Sequence, residues 1–456
     1  MRTVHEGATN MTAVTEPDQV RALLADMLVP AASCPGPGAV GLESEHFIVH
    51  VDAHGAPVGR ADLSTMTAVL DDHPDLNPEP PSATSLTGWR TADGARLLPE
   101  PGAQLEFAGP PAWTAAAALG SMSDAIGDIA TVLDSRGLAL VSAGLDVWHP
   151  AGSVRQQLAC PRYPAMHDYF ARRGPHGRTM MTHTASLQVN LDLGRGSQPV
   201  DRWATALLAS PLTTATFACS PSAGAVNGRA LAWQWLDPTR TGVPAAFVAG
   251  EDDPVETLCA QALAADVLLF RNGEDTVPGE PGFTLERWIT EGHPVHGRPT
   301  TADVAYHLTT LFPEVRLRGF LEIRSVDALP ERWRAVPVVL LAGLLYDDRT
   351  LDAVRALLEP HRSRLPELQQ RAAHLGVADG ELCAMAVEVW TMAAEGAARL
   401  GPAFLDAADI RRTERFLDRF TLRGRTPADE LRERFVDGPA AALDWAREPV
   451  GTLTLC

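Results

Sequence analysis

Ser186-Leu187-Gln188-Val189-Asn190-Leu191-Asp192-Leu193 alternates polar and apolar residues without a break. Side chains two apart on a strand share a face, so this stretch reads as a half-buried strand. One side is apolar and suits a core. The other carries Gln188, Asn190 and Asp192, an amide ladder ending in a carboxylate, suited to orienting a substrate. Three further segments follow the same parity: Gly41-Leu42-Glu43-Ser44-Glu45, Glu100-Pro101-Gly102-Ala103-Gln104-Leu105-Glu106 and Phe320-Leu321-Glu322-Ile323-Arg324. On strands, Glu43 points with Glu45, Gln104 with Glu106, and Glu322 with Arg324. If these strands are neighbours, one sheet face gathers four or more carboxylates. Such a face repels itself unless cations neutralise it. Hard divalent cations such as Mg²⁺ take oxygen ligands and commonly share them with substrate phosphates. The expectation is a Mg-nucleotide site laid on a sheet.

Composition narrows the field. The chain has 456 residues with 45% hydrophobic content, enough for a sizeable core and against global disorder. A net charge of −19 argues against nucleic acid or an anionic membrane as the main partner. All 38 basic residues are arginine. Without lysine there is no Walker A loop, no Schiff-base pyridoxal enzyme and no protein-kinase strand lysine. Any phosphate must be handled by arginine and metal. Cysteines stand at 34, 160, 219, 259, 383 and 456, with no CxxC pair, so a zinc ribbon or thioredoxin motif is absent. Residues 1–16 are polar, and the apolar run Ala335 to Leu345 is too short to span a bilayer. A cytoplasmic protein with reduced thiols is expected.

Along the chain, a loose tail at 1–16 precedes a helix opening at Pro17 and running to about Leu28, then a Pro/Gly-rich connector at 29–39. Strands are expected at 40–52, 103–108, 138–142, 185–193 and 319–325. Helices are expected at 112–136, 199–218 and 301–311, with a loop and short helix at 160–182. The Gly-, Ser- and Pro-rich stretch 219–244, carrying Trp233 and Trp235, reads as a long loop. From 328 onward helical periodicity replaces strand signals. Residues 17–327 would form a catalytic sheet with flanking helices, and 328–456 a helical layer packed on it. The fold class is α+β.

Seven segments taken together resemble the glutamate–cysteine ligase superfamily, nearest its bacterial ergothioneine-pathway branch: GLESE (41–45), EPGAQLEFAGPP (100–111), RYPAM (162–166), MMTHTASLQVNLD (180–192), WQWLDPTRTG (233–242), YHLTTLFPEVRLRGFLEIRSVD (306–327) and RGRTPADEL (423–431). The resemblance implies a curved, largely antiparallel sheet forming a funnel flanked by helices. It implies that ATP phosphorylates the γ-carboxylate of glutamate and that the amine of an acceptor amino acid, cysteine by default, attacks the acyl phosphate. It implies Glu43, Glu45, Glu100, Glu106 and Glu322 as the pool of Mg²⁺ ligands. It also implies Gln188 and Asn190 near metal and substrate, Arg324 facing the transferring phosphate beside Glu322, and Arg162 and Arg229 on substrate carboxylates. Planar guanidinium forks suit those last tasks.

Two departures bear on the acceptor. Asn227 stands where a Ser is usual and Leu231 where an Arg is common in the family segment preceding Trp233, which makes 220–235 a candidate acceptor wall. A paralogue joining glutamate to a small apolar amino acid such as propargylglycine is therefore the first alternative. A silent homologue that binds nucleotide or amino acid is the second. His183, beside the polar strand, is a further candidate for a role in the site.

Overall fold

The computed structural model describes residues 12–27, 36–80, 88–273 and 275–450. Most of the expected tail, the connector over 28–35, Cys34 and Cys456 lie outside the described residues. Twelve strands occur among the described residues: β1 (Val40–Val51), β2 (Pro57–Arg60), β3 (Asn77–Glu79), β4 (Gly88–Arg90), β5 (Arg96–Pro99), β6 (Leu105–Ala108), β7 (Leu138–Val141), β8 (Ser186–Asp192), β9 (Leu269–Asn272), β10 (Asp275–Pro278), β11 (Val315–Leu317) and β12 (Phe320–Asp327). Ten form one open sheet in the order β11-β12-β8-β1-β6-β5-β4-β3, with β2 and β7 also paired to β1. Every pairing is antiparallel. The fold is α+β, as the sequence pattern indicates.

β1 is the hub because its length lets it serve different neighbours along its course. Val40–Ser44 pairs with β8 and Glu43–His46 with β6; Phe47–His50 then pairs with β7 and Val49–Val51 with β2. The alternation predicted from sequence holds. Leu42, Phe107, Leu187, Val189, Leu191, Leu321 and Ile323 are buried on the core side. Each such burial contributes about 1.5–3 kcal/mol. The helix Glu331–Tyr346 packs against β8, Gln198–Thr216 against β12, and Ala115–Asp134 against β1 and β7. Ala115–Asp134 is the one described helix long and apolar enough to cross a membrane, by length and composition alone.

β12 carries an irregularity with consequences for the site. Ile323 pairs with Val189, but the next pair is Val326 with Leu187. Arg324 and Ser325 therefore stand together opposite Gln188, a β-bulge. The extra residue is tied down from outside the ladder: Arg324 N donates to Glu314 O at 2.8 Å, and Arg229 Nη2 donates to Arg324 O at 2.7 Å.

The stretch 219–244 is not one long loop. It folds into the helices Gly228–Leu236 and Pro238–Thr241. Asn227 caps the first through Ala230 N, and Asp237 caps the second through Thr239 N. The glycine and proline that read as loop residues have specific places: Pro238 opens its helix, and a Cβ on Gly228 would come within 2.9 Å of Ser222. Likewise 160–182 holds two helices, Arg162–Ala171 and His176–His183. After residue 328 the chain is helical through Ala446.

Candidate active site

The register of the sheet assembles the polar face. Glu106 on β6 lies opposite Glu45 on β1, and Glu43 opposite Gln188 on β8. Asn190 lies opposite Glu322 on β12, which in turn faces Arg316 on β11. Asn190 Nδ2 donates to Glu43 Oε1 at 3.0 Å, and Ser186 N donates to Glu45 Oε2 at 2.8 Å. Gly41, opposite Asn190, leaves space for that carboxamide; a Cβ there would stand 3.3 Å from Asn190 Cβ. Glu100 joins from the turn between β5 and β6. That turn closes through Ala103 N to Glu100 O and Glu100 N to Gln104 O, both 2.8 Å, with Ala103 in the left-handed region at φ 57°.

Gln104, directly ahead of β6, is held by the backbone around it: its Oε1 accepts from Gly102 N and its Nε2 donates to Met181 O and Thr184 O. His183 is also occupied structurally: its ring bonds Thr182 Oγ1 at 2.7 Å and Pro150 O at 3.0 Å.

The carboxylates divide into two groups by their surroundings. Burial raises Glu43, Glu45, Glu100 and Glu106 above the ordinary range, Glu100 to about 8. Neighbouring acids add to the shift: Glu322 for Glu43, Glu45 for Glu100, and Glu100 for Glu106. Arg229 works the other way on Glu45. Burial would raise Glu322 too, but Arg316, Arg324 and Arg318 overcome it and hold this carboxyl at about 2. Arg316 grips it bidentately at 2.7 and 2.9 Å, Arg324 bonds it closely, and Arg318 stands at 3.7 Å.

The first group could hold a divalent cation. Its members are hard oxygen donors, and the nearby arginines, Arg324 foremost, only partly offset their burial. Among the described residues no three His, Cys, Asp or Glu side chains converge as a metal cage. Mg²⁺ bound together with phosphates needs only one or two protein carboxylates, so the donor set fits a shared ion. Glu322 differs, since three guanidinium groups already match its charge.

The predicted arginines border this face. Arg324 Nη1 donates to Gln188 Oε1 at 2.8 Å, and its guanidinium lies 5.6 Å from the Trp233 ring centre. Arg229 is buried, 3.6 Å from Asp327, and acts electrostatically on Glu45. Arg162 opens its helix over the Tyr306 ring at 5.4 Å and lowers the Glu100 carboxyl from a distance. Asn227, by contrast, is fully buried; its side chain accepts from Ser220 Oγ and donates to Thr214 O. It braces the helix beneath the site and forms no wall of it. The cleft beside Arg324 is lined instead by Arg229, Trp233, Gln234, Phe312 and Glu314.

Three of these charged residues were not singled out from sequence: Glu314, Arg316 and Arg318. A signal existed. Val315-Arg316-Leu317-Arg318-Gly319-Phe320-Leu321-Glu322 alternates on both sides of Arg318-Gly319, a hairpin pattern that sets Arg316 across from Glu322.

The site joins phosphate-competent acids to fixed guanidinium groups, and the chain is an ATP-dependent ligase. It belongs to glutamate–cysteine ligase family 2, whose family model matches residues 39–449. It is 34% identical over 420 residues to glutamate–cysteine ligase EgtA of Mycolicibacterium smegmatis, covering 89% of each chain. It is 33% identical over 404 residues to EgtA of Mycobacterium tuberculosis, covering 85% of this chain and 88% of that one. The chloroplastic glutamate–cysteine ligase of Arabidopsis thaliana is 29% identical over 357 residues, 74% of this chain and 65% of that one. Among solved structures, a glutamate–cysteine ligase from Francisella tularensis in complex with AMP aligns at TM-score 0.47 and 12% identity, covering 90% of this chain and 87% of that one. A bifunctional glutathione synthetase from Pasteurella multocida aligns at TM-score 0.46 and 15% identity, over 90% of this chain and 52% of that one.

Proposed function

We propose that this protein joins the γ-carboxylate of glutamate to the amine of a small amino acid, with cysteine as the default acceptor, through a γ-glutamyl phosphate. The observation that carries the reading is the sheet face itself. Burial holds Glu43, Glu45, Glu100 and Glu106 above the ordinary carboxylate range, only partly offset by Arg324, which is anchored on Gln188 and Glu322. The names of the relatives support glutamate and cysteine as substrates. Ergothioneine biosynthesis is the setting implied by the resemblance of the seven segments.

Phosphoryl transfer needs alignment and charge neutralisation more than covalent help. The four acids would hold Mg²⁺, which neutralises nucleotide phosphates when bound. Arg324 supplies a planar fork to the phosphoryl group in flight, and Glu322 with Gln188 fixes its direction. We assign Glu322 to that positioning task rather than to metal. Asn190 orients Glu43. Arg162 and Arg229 would meet the carboxylates of glutamate, and a donor lacking either carboxylate would leave a guanidinium unpaired.

ADP release measured with glutamate fixed and the amine varied tests the reading. Glutamate-dependent release is expected with cysteine, and with 2-aminobutyrate and propargylglycine within about 10- to 200-fold of it. Absence of glutamate-dependent release with every amine would remove glutamate as donor. A preference for cysteine over 2-aminobutyrate above about 10⁴ would require a polar contact to the thiol. A preference for propargylglycine would identify a specialised paralogue.

A further inference from the structure

Of the four acids on the polar face, Glu43 and Glu45 stand on β1 and Glu106 on β6, held by the ladder of the sheet; Glu100 alone stands on a turn. Something other than the ladder has to fix it. Glu100 O is taken by Ala103 N, and Pro101 O by Gln157 N, each at 2.8 Å. The remaining carbonyl of the turn, Gly102 O, accepts from Arg60 Nη2 at 2.9 Å. Arg60 comes from β2, and its side chain is only 3% exposed. Its Nη1 donates to Asp146 Oδ2 at 3.0 Å, and the guanidinium lies 4.6 Å from the ring centre of Phe47 on β1. Asp146 is fixed in turn by Trp148 N, His149 N and His149 Nδ1, at 3.2, 3.3 and 3.0 Å. A buried ion pair adds little net stability, because desolvation opposes the attraction. Arg60 Nε is moreover buried with no hydrogen-bond partner among the described residues. Stability explains this pair poorly, and what it does hold is the turn.

We infer that Arg60, braced by Asp146, is a positioning residue that sets the Glu100 carboxylate among Glu43, Glu45 and Glu106 for cation binding. The inference rests on the metal reading under the proposed function. Phe47 lies two residues beyond Glu45 on the same strand, so one guanidinium ties the Glu100 turn to the strand that carries Glu43 and Glu45. A divalent ion shared with phosphates draws on few protein oxygens, so the placing of each one counts. Arg60 acts only through Glu100. Removing an outer partner that orients a metal-binding carboxylate typically costs about 10- to 100-fold in metal affinity or activity.

A double-mutant cycle on Mn²⁺ binding separates positioning from plain structural support. Mn²⁺ binding to the full chain would be measured by electron paramagnetic resonance with a non-hydrolysable ATP analogue present. Two variants serve. Arg60→Lys replaces the fork that reaches both Asp146 and Gly102 O by a point charge. Arg60→Met combined with Asp146→Asn removes both charges, so that neither is left buried and unpaired. Each should weaken Mn²⁺ binding about 10- to 100-fold, as should Glu100→Gln. Added to Glu100→Gln, each should weaken it no more than about twofold further, because the carboxylate being placed is already gone. In turnover, the Mg²⁺ concentration for half-maximal ADP release should rise while the KM for glutamate stays within about threefold. Additive losses in the combined variants would overturn the assignment, as would wild-type Mn²⁺ binding in both Arg60 variants or the loss of a cooperative melt in both. Wild-type Mn²⁺ binding by Glu100→Gln would instead remove Glu100 from the ligand set, and the inference would fall with the metal reading.

Discussion

Replacing Glu322 by Gln tests the division of the carboxylates into two groups. The substitution preserves shape and removes the anion that faces Arg316 at 2.7 and 2.9 Å, Arg318 at 3.7 Å, and Arg324. Glu322 sits at about 2 instead of its usual 4.5. At about 1.4 kcal/mol per unit, that gap is worth roughly 3 kcal/mol of folding free energy. Breaking a buried ion pair from one side costs about 3–5 kcal/mol, the same order. The folded carboxyl lies below its unfolded value, so the stabilisation is complete above about pH 4.5 and is lost as pH falls toward 2. Urea unfolding of nucleotide-free protein at neutral pH should show Glu322→Gln less stable by about 3 kcal/mol, with the difference narrowing through the acid range. Glu106→Gln is the control of opposite sign. Burial and its acidic neighbours raise Glu106, so removing its charge should leave the protein as stable or more so. If Glu322→Gln matches wild type to within about 0.5 kcal/mol, the arginine cluster is not what holds that carboxylate, and the division is wrong.

Two kinetic predictions accompany it. Glu45→Gln should lower kcat by about 10² or more with little change in folding, and chelation of divalent cations should abolish turnover in wild type; near-normal ADP formation in either case would remove the metal reading. Arg324→Lys should lose more in kcat than it raises the KM for glutamate, because a point charge replaces a planar fork; full activity would refute the phosphate role.

Much of the sheet was legible because its strands obey simple parity. β1, β7, β8 and β12 lie within a residue or two of where alternation placed them, and Glu43, Glu45, Glu106, Gln188 and Asn190 meet on one face through the register alone. The anchoring of Gln104 was not legible, because two of its partners, Met181 O and Thr184 O, lie far along the chain. The helices over 228–241 escaped because their starts depend on single caps, Asn227 and Asp237, inside a stretch whose glycine and proline content signals a loop. Glu314 and Arg316 were hidden for a different reason. Their meaning comes from partners distant in the chain or across a hairpin, Gln369 and Arg229 for one and Glu322 for the other.

The bulge at Arg324 and Ser325 resets the phase of β12. Before it, even-numbered residues face the carboxylates; after it, odd-numbered ones do. In an unbroken strand Val326 would project among the acids and Asp327 would turn into the core. Instead Val326 pairs with Leu187 on the apolar side, and Asp327, paired with Ser186, accepts from Cys219 N and Ser220 Oγ and stands beside Arg229. One surplus residue thus lets a single strand contribute Glu322, Arg324 and Asp327 to the same side. Length at this point works as a grammatical rule: a deletion of Ser325 would leave Glu322 and Arg324 in place and reverse the sense of Val326 and Asp327.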